Sequence, residues 1–310
     1  MRIPARPAFL LLFAVTICFR FSVFNFQNSV SAAAAKKVPA KAAATVKPTD
    51  TFSILILGTD QRASEKNFRT DVSMVAVLRP SVKKAVIVSF PRDLNYAGRK
   101  INSLYPLKGI NYTRSAYSQM VGVNVDRYVV VNGFNSFVWA VNEMNGLEVN
   151  VEKAFKDKQY PGDRENWGPM TLEFTAGPQH MDGERALKYA RSRKGNNGEG
   201  SDFSRMKRQQ NLLMAMPEAF LNNRKSIIPF SAQALVELIT GKIKTDIGIT
   251  DADKLYGFLT DNKSWKIERL TLDLKYVYEA KARNYGGAYT LLPRAGNYTA
   301  VKNFIYQKLQ

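Results

Sequence analysis

The chain has very little of two side chains on which many catalytic and metal sites depend, cysteine and histidine. Cys18 is the only cysteine and lies in an apolar segment, so no intrachain disulfide can form. The residues before it, Thr16 and Ile17, fit a lipoprotein signal poorly, and an ordinary buried thiol is the interpretation. His180 is the only histidine, which leaves a zinc site or a serine, histidine and aspartate triad without its usual base.

A glycine-rich P-loop is also missing, so nucleotide hydrolysis of that kind is unsupported. Acidic residues are scarce, because 26 Asp and Glu stand against 45 Lys and Arg and give a formal charge of +19. Such an excess favours anionic partners: nucleic acid, a phospholipid surface or an anionic substrate. Charge alone does not choose between them.

The N-terminal segment, residues 1–30, predicts export. Two arginines precede an apolar stretch at 8–19, which is short for a membrane-spanning helix and typical of a signal peptide core. Small residues in SVSAAAAKK then offer a cleavage site, and the alternative is that the segment remains as a membrane anchor. Residues 31–50 are rich in Ala, Lys and Pro and predict a disordered, solvated tether.

Residues 51–310 predict one folded unit, with a motif-bearing core at 54–215 and a C-terminal subdomain at 225–310. Four short, β-branched and nearly all apolar runs are typical of strands covered on both faces. They are FSILILG at 52–58, VSMVAVL at 72–78, AVIVSF at 85–90 and YVVVNGF at 128–134. Amphipathic stretches at 135–144 and 205–216 predict helices, so the fold class is α/β, a layered α-β-α domain with a central mixed sheet flanked by helices.

The tail repeats this alternation more weakly. SAQALVELITGKI and DADKLYGFL predict helices, KIERLTLDL predicts a strand, and TAVKNFIYQKL predicts a closing helix.

Arginines crowd into YARSRKGNNGEGSDFSRMKRQQ, residues 189–210. Like charges repel, so this cluster costs stability unless something anionic lies among them. Asp202 is predicted to cap a helix. At about 100 degrees per residue, Asp202, Arg205 and Gln209 lie on one face of that helix.

Arg191 and Arg193 follow a short helix that Asp182 can cap, and two-residue spacing in an extended segment points both to one side. If the glycine-rich loop folds this segment back beside the next helix, three guanidiniums and an amide converge. A guanidinium fork matches phosphate oxygens bidentately. The alternative is a solvated basic face with one ion pair, Asp202 to Arg205.

Two carboxylates near the first strand form a second candidate cluster. Asp60 follows that strand directly and Asp71 opens the next one. They could therefore meet at one sheet edge, where Mg²⁺ takes one or two carboxylates and completes its shell with water and phosphate oxygens. Alternatively, both carboxylates only cap turns or pair with Arg62 and Arg69.

A third cluster lies in SFPRDLNYAGRKINSLY, residues 89–105. Pro91 ends a strand, so Arg92 and Asp93 emerge at its C-terminal edge, and Lys100 follows after a short loop. The alternative is a strand terminus with a surface ion pair.

Taken together, these segments resemble the LytR-CpsA-Psr family in order and spacing. The matching stretches are ILILGTD, RTDVSM, SFPRD, KINSLY, DRYVVVNGF, MDGERALKYARSR and SDFSRMKRQQ. The resemblance implies an exported, membrane-tethered α/β enzyme of the outer membrane face that transfers a phosphoglycan from a polyprenyl-pyrophosphate donor to a peptidoglycan hydroxyl. Teichoic acid, capsule or a related polymer is the implied cargo.

The resemblance also implies residue roles. Asp60 and Asp71 would hold Mg²⁺, the implied cofactor, and Asp202 would orient the arginines or assist proton transfer, with Asp93 a second candidate base. The pyrophosphate would be surrounded by Arg92, Lys100, Arg191, Arg193, Arg205 and Gln209. The donor's lipid needs an apolar slot, for which the candidates are Phe134, Phe137, Val138, Leu212, Leu213 and Met216.

Departures from the family pattern bear on specificity. The loop from Lys194 to Ser201 is longer than expected, Arg127 stands where His is expected, and the tract 157–167 is unusually charged. Two other functions remain open: a polyprenyl-pyrophosphate hydrolase, and a binding protein or regulator for anionic polymers. Nucleic acid is disfavoured as a partner because it requires a cytoplasmic domain, which the N-terminal segment argues against.

Overall fold

The computed structural model describes residues 50–61, 67–162, 168–222 and 242–310. The predicted signal or anchor segment lies outside these ranges. So do the predicted linker, except Asp50, and the helix predicted in SAQALVELITGKI, except Lys242 and Ile243. Among the residues described, none of the helices combines the length and apolar character that crossing a bilayer requires.

The described residues contain fourteen strands and six α-helices. The strands are β1 Phe52–Thr59, β2 Thr70–Arg79, β3 Lys84–Ser89, β4 Asn95–Tyr96, β5 Arg99–Lys100, β6 Arg127–Asn132, β7 Leu147–Val151, β8 Phe155–Pro161, β9 Pro169–Phe174, β10 Gly177–Met181, β11 Ile243–Thr245, β12 Lys266–Thr271, β13 Val277–Glu279 and β14 Leu291–Pro293. The helices are α1 Leu104–Val121, α2 Phe134–Glu143, α3 Gly183–Arg191, α4 Asp202–Asn222, α5 Ala252–Thr260 and α6 Thr299–Leu309.

The central sheet has six strands in the order β11-β6-β1-β2-β3-β12. β1 is parallel to β6 and β3 is parallel to β12, whereas β2 and β11 run antiparallel to their neighbours. The predicted mixed sheet is therefore confirmed, and the four predicted apolar runs form β1, β2, β3 and β6. Since β1, β3, β6 and β12 run in one direction, they end at the same edge, where α/β folds bind ligands.

Both faces of this sheet are covered, which explains the nearly all-apolar strands. One face, with Leu55, Val75 and Val86, packs against α1 and α6 through Tyr117 and Ile305. The opposite face carries the alternate residues of the same strands, since successive side chains of a strand point to opposite faces. Met74, Ala76 and Ile87 there contact Trp265 and residues of α4 and α5. The result is the predicted three-layer arrangement.

A separate hydrophobic cluster joins the middle of the chain. Residues of α2, α3 and α4 pack there with the antiparallel strand pair β7/β10 and the hairpin β8/β9. Phe155, Phe174 and Tyr189 stack around its centre, with ring centroids 5.0 to 6.1 Å apart. This cluster fixes the end of α3, where Arg191 stands.

Gly133 makes the tight turn from β6 into α2. Its φ is +81°, and a Cβ at this position would lie 2.3 Å from the carbonyl oxygen of Gln61. Its N–H donates to Thr59 Oγ1 at 3.1 Å. Only glycine allows this approach, which holds the start of α2 against the end of β1.

Candidate active site

A cavity of about 1070 Å³ lies between the central sheet and helices α2, α4 and α5. Apolar side chains from the sheet and all three helices line most of it, among them Ile54, Ile56, Met74, Phe137, Leu213, Met216, Leu255 and Phe258. At the edge where the parallel strands end, it is lined by Asp71, Arg191, Arg193, Asp202, Arg205 and Gln209. Sites for small molecules usually enclose about 300–1,000 Å³, so this cavity has room for a long apolar ligand.

The predicted apolar slot is present with one exception. Phe134, Phe137, Leu212, Leu213 and Met216 line the cavity, and Val138 does not. The backbone of Val138 instead lies against Gly183, where a Cβ would come within 2.3 Å of its carbonyl oxygen. Close packing of α2 on α3 therefore removes Val138 from the slot.

Arg92 is the centre of an ion-pair network at the sheet edge. Its Nη1 lies 3.0 Å from Asp71 Oδ1, and its Nε lies 3.4 Å from Asp93 Oδ2 and 3.9 Å from Asp202 Oδ2. Burial lowers the pKa of Arg92, but the charges of these three carboxylates outweigh burial and raise it. Lys100 Nζ donates to the other oxygen of Asp93 at 2.7 Å. Residues far apart in sequence thus meet as the resemblance implied.

Asp202 joins Arg193, in the segment after α3, to Arg205 of α4. Its Oδ1 accepts from Arg193 Nε at 3.0 Å, and its Oδ2 lies 3.7 Å from Arg205 Nη2. The prediction that Asp202 caps the helix is wrong. Ser201 does so, since its Oγ accepts from the N–H of Ser204 at 3.0 Å, and the Asp202 carboxylate is left to the guanidiniums.

Arg205 is the most buried of the site arginines, with 4 % of the residue exposed. Burial lowers the pKa of Arg205, opposed by the nearby charges of Asp202 and Asp71. Its Nε makes no hydrogen bond among the described residues. A buried donor without a partner costs free energy, so a ligand oxygen in the cavity would satisfy it.

Arg191 is held by aromatic rings instead of carboxylates. Its guanidinium carbon lies 4.1 Å from the centroid of the Phe134 ring, and Nη1 donates to Tyr160 Oη at 3.2 Å. Gln209 Nε2 donates to the carbonyl of Ala190 at 3.3 Å. Both side chains line the cavity beside Arg193, although Arg191 ends a helix where an extended segment was predicted.

Asp157 is a positioning residue that sequence reasoning missed. It is buried, and its Oδ2 accepts from Ser192 Oγ at 2.6 Å and from the N–H groups of Arg193 and Lys194 at 3.2 and 3.1 Å. The carboxylate therefore fixes the backbone that carries Arg193. No local pattern could reveal this contact, because it joins residues about 35 positions apart.

Arg208, by contrast, is structural. Its Nε donates to the carbonyl of Tyr189 at 3.0 Å, Nη2 to that of Ser192 at 2.5 Å, and Nη1 to Glu199 Oε2 at 2.5 Å. The residue is 2 % exposed. It ties α4 to the end of α3 and to the glycine-rich loop, and so brings the two arginine segments together.

The predicted metal ligands lie at the same end of the β1/β2 hairpin. Asp60 Oδ1 accepts from the N–H of Arg69 at 2.6 Å, and Asp71 Oδ1 pairs with Arg92. No group of three Asp, Glu, His or Cys side chains occurs among the described residues at metal-binding distance. Mg²⁺ needs only one or two carboxylates when phosphate and water supply the other oxygens, so these two side chains are compatible with the ion that the resemblance implied.

The fold and the site define an α/β protein in which charged residues at the strand ends adjoin a long apolar cavity. The chain belongs to the LytR-CpsA-Psr family: the LytR_cpsA_psr family model matches residues 18–303. The family resemblance of the seven motifs is therefore confirmed. Arg127, a departure from the family pattern, pairs with Asp251 at 2.7 Å at the start of β6, the end of the strand opposite the site.

Two curated relatives and one solved structure illustrate the likeness. The polyisoprenyl-teichoic acid–peptidoglycan teichoic acid transferase TagT of Bacillus subtilis (strain 168) is 32% identical over 242 residues, 74% of this chain and 70% of that protein. The regulatory protein MsrR of Staphylococcus aureus (strain COL) is 28% identical over 270 residues, 84% of this chain and 76% of that protein. A structure of TagT bound to LI-WTA has a TM-score of 0.63 and 25% identity, covering 86% of this chain and 94% of that one.

Proposed function

We propose that this protein is a phosphotransferase that moves a phosphoglycan from a polyprenyl-pyrophosphate donor to a hydroxyl of peptidoglycan. The observation that carries the proposal is one cavity whose apolar interior leads to a cluster of arginines at the strand ends. An apolar tail and a doubly charged headgroup are the two parts of a lipid pyrophosphate. The activity in TagT's name supports the same assignment.

The arginines bind the donor from different sides of the site. Arg205 offers its free Nε from the buried wall of the site, and Arg191 and Arg193 face the same space from the end of α3. Arg92 and Lys100 extend the positive charge along the sheet edge. Guanidiniums bind phosphate oxygens in pairs, so this set holds the pyrophosphate and stabilises charge that builds up on it.

In the transfer step, the acceptor hydroxyl oxygen bonds to the phosphorus that carries the glycan. The bond from that phosphorus to the bridging pyrophosphate oxygen breaks, and polyprenyl phosphate leaves with that oxygen. The hydroxyl proton passes to a carboxylate, for which Asp93 and Asp202 are the candidates. Catalysis of such a step depends mainly on positioning and on stabilising charge, which the arginine network supplies.

Asp60 and Asp71 are proposed as the residues that hold Mg²⁺. The ion would supply positive charge to the pyrophosphate oxygens. Asp71 is engaged by Arg92 through one oxygen, which fits a carboxylate shared between a guanidinium and a cation.

The domain is proposed to act outside the cytoplasmic membrane, tethered or secreted. Two of its relatives are named for teichoic acid transfer to peptidoglycan, and the N-terminal segment predicts export. This location places the site where lipid-linked polymers and wall acceptors meet.

The proposal is tested by incubating the full chain with a labelled polyprenyl-pyrophosphate glycan and peptidoglycan fragments, in Mg²⁺ or in EDTA. Label should move to the peptidoglycan only with metal. In Arg191→Ala the rate should fall about 100-fold or more, as for loss of a donor to a charged transition state. Arg185→Ala is the matched control, since Arg185 is an exposed arginine of the same helix outside the cavity.

Other outcomes identify the other functions. Release of lipid phosphate without labelled peptidoglycan would indicate a hydrolase. Tight donor binding without either product would indicate a binding protein or regulator and would overturn the proposed transfer.

A further inference from the structure

The hairpin of β13 and β14 is attached directly to the arginine site. The N–H of Leu291 donates to the carbonyl of Asp93 at 3.0 Å. Leu291 also forms a parallel bridge with Leu94. The loop that joins the two strands, residues 280–290, therefore lies next to Asp93, one of the two candidate bases. None of the sequence motifs pointed to this region.

Two side chains of the hairpin form an exposed pair beside the site. Tyr289 Oη donates to Glu279 Oε1 at 3.2 Å, and Tyr289 is 47 % exposed. Partial burial and Glu279 raise the pKa of Tyr289 to about 12, and the charges of Asp202 and Asp93 add to the effect. The phenol is therefore protonated at neutral pH, where it donates its hydrogen bond to Glu279.

This pair is not needed to hold the hairpin together. Glu279 pairs with Leu291 through the backbone, and the N–H of Ala280 donates to the carbonyl of Thr290 at 2.9 Å. Thr290 is itself buried. Tyr289 belongs to none of the three hydrophobic clusters, so its ring is available to a ligand.

We propose that Tyr289 and Glu279 form the acceptor subsite, where a saccharide of the peptidoglycan is held with its hydroxyl towards Asp93 and Asp202. The inference rests on the proposed function and assigns the position at which the acceptor binds. An aromatic ring offers an apolar face and a polar tip, which suits the C–H face and the hydroxyls of a sugar ring. The Glu279 carboxylate accepts hydrogen bonds from hydroxyl groups.

A membrane surface is the competing occupant for exposed tyrosines, and Glu279 argues against it. Anionic lipids give membranes a negative surface potential, which would attract the exposed Lys281 and Arg283 of the loop but repel the Glu279 carboxylate to which Tyr289 donates. A saccharide instead brings the neutral donors that this carboxylate accepts.

The first measurement is the transfer rate at increasing acceptor concentration, with donor binding measured separately. In Tyr289→Ala and Glu279→Gln the acceptor KM should rise about tenfold or more, as for loss of a hydrogen bond to a charged group. The Kd of the donor should stay within about twofold of the wild-type value. Tyr289→Phe, which keeps the ring and the fold, should show a smaller rise.

Tyr278→Ala is the matched control. Tyr278 has a similar exposure, 39 %, and its side chain points to the opposite face of β13 from that of Glu279. Its acceptor KM should not change.

A second measurement does not depend on transfer. Soluble peptidoglycan fragments with at least one disaccharide are titrated into the full chain without donor, and vesicles of phosphatidylglycerol and phosphatidylcholine are tested in parallel. Weaker fragment binding by Tyr289→Ala, with no change in Tyr278→Ala, supports the subsite even if the wild type transfers nothing. Unchanged fragment binding, or a loss of vesicle binding instead, overturns it.

Discussion

The charged residues of the site differ in what holds each of them. Arg191 is fixed by rings, Arg193 by a carboxylate, and Arg205 by burial in the wall of the cavity. A side chain whose hydrogen-bond partners are supplied by the protein keeps most of its contacts when the ligand is absent. Arg205 Nε has no such partner among the described residues, so Arg205 should depend most on the ligand.

Arg205→Lys should therefore weaken binding of a polyprenyl pyrophosphate about 10- to 100-fold, since a hydrogen bond to a charged group is worth about 1.5–3 kcal/mol. A lysine keeps the charge but lacks the guanidinium fork. Titration calorimetry with the donor measures the change. Lys207→Ala, at an exposed position of the same helix, should bind as the wild type does, and equal losses in both variants would contradict the role of Arg205.

Asp157 offers a prediction with a defined pH dependence. Burial by itself raises the pKa of Asp157, but the hydrogen bonds from Ser192 and from the N–H groups of Gln159, Lys194 and Arg193 outweigh it and hold the pKa below its ordinary value. Because the pKa of Asp157 is lower in the folded state than in the unfolded state, the ionised carboxylate stabilises the fold at pH values above its unfolded pKa, about 3.9. That contribution is lost as the pH falls from there through the folded pKa.

Asp157→Asn should lower the free energy of unfolding by about 1–3 kcal/mol at neutral pH, because it leaves buried donors facing an amide. The difference from the wild type should shrink in denaturant titrations carried to acid pH. Asp253→Asn, an exposed position on α5, is the control and should change little at any pH. A difference for Asp157→Asn that stays constant down to pH 3 would refute the assigned cause.

At the scale of elements, the site depends on how α3 and α4 are joined. The glycine-rich loop between them turns back on itself, and Arg208 binds carbonyls of α3 and of the segment after it while its guanidinium lies 4.8 Å from the Phe155 ring. The two arginine segments are thus assembled by a residue that does not line the cavity.

Arg208→Lys should lower the free energy of unfolding by about 1.5–3 kcal/mol, since an ammonium cannot reach the same carbonyl and carboxylate oxygens in the fork geometry. Hydrogen exchange should become faster over residues 192–200. Arg185→Lys is the matched control, because the Arg185 guanidinium also lies over a ring, 4.6 Å from the centroid of Phe174, but at an exposed position. Normal exchange in the Arg208 variant would show that the loop is held by other contacts.

Most helices and most strands of the central sheet were predicted from the sequence, whereas α1 and the strand pairs β7/β10, β8/β9 and β13/β14 were not. The strands β1, β2, β3 and β6 follow from nearly all-apolar runs, and β12 lies in the predicted KIERLTLDL strand. Asp182 caps α3 as predicted by accepting from the N–H of Arg185 at 2.7 Å. The convergence of Asp202, Arg205 and Gln209 followed from helix geometry. The cap at Ser201 was missed because adjacent serine and aspartate are both good capping residues, and only the contacts of Asp202 decide between them.

At the scale of the whole molecule, the C-terminal part completes the sheet and the core. β12 pairs with β3 from Lys266 to Thr271, and α6 buries Val301, Ile305 and Leu309 against the strands of the first half. These contacts join residues more than 150 positions apart. Local patterns contain no information about such distances, and for the same reason Asp157 and the Tyr289 hairpin could not be assigned from sequence.

Deleting residues 299–310 should therefore prevent stable folding of the whole chain. Removing each of its buried aliphatic side chains alone would cost about 2–5 kcal/mol, and their sum approaches the stability of a typical domain, about 5–15 kcal/mol. Circular dichroism and solubility of the purified variant measure the outcome, with deletion of Gln310 alone as the control. A soluble truncated protein with a cooperative unfolding transition near that of the wild type would show that α6 is dispensable.

The pairing of an apolar cavity with an arginine cluster is tested most directly by competitive binding of three ligands to the full chain. The ligands are a long-chain polyprenyl pyrophosphate, the short geranyl pyrophosphate, and a long-chain polyprenol that lacks phosphate. The long pyrophosphate should bind about 100-fold or more tightly than either of the others, because each lacks one of the two contributions, apolar burial or charged hydrogen bonds. Equal affinity for the polyprenol, or for the short pyrophosphate, would contradict a site that holds both ends of the donor.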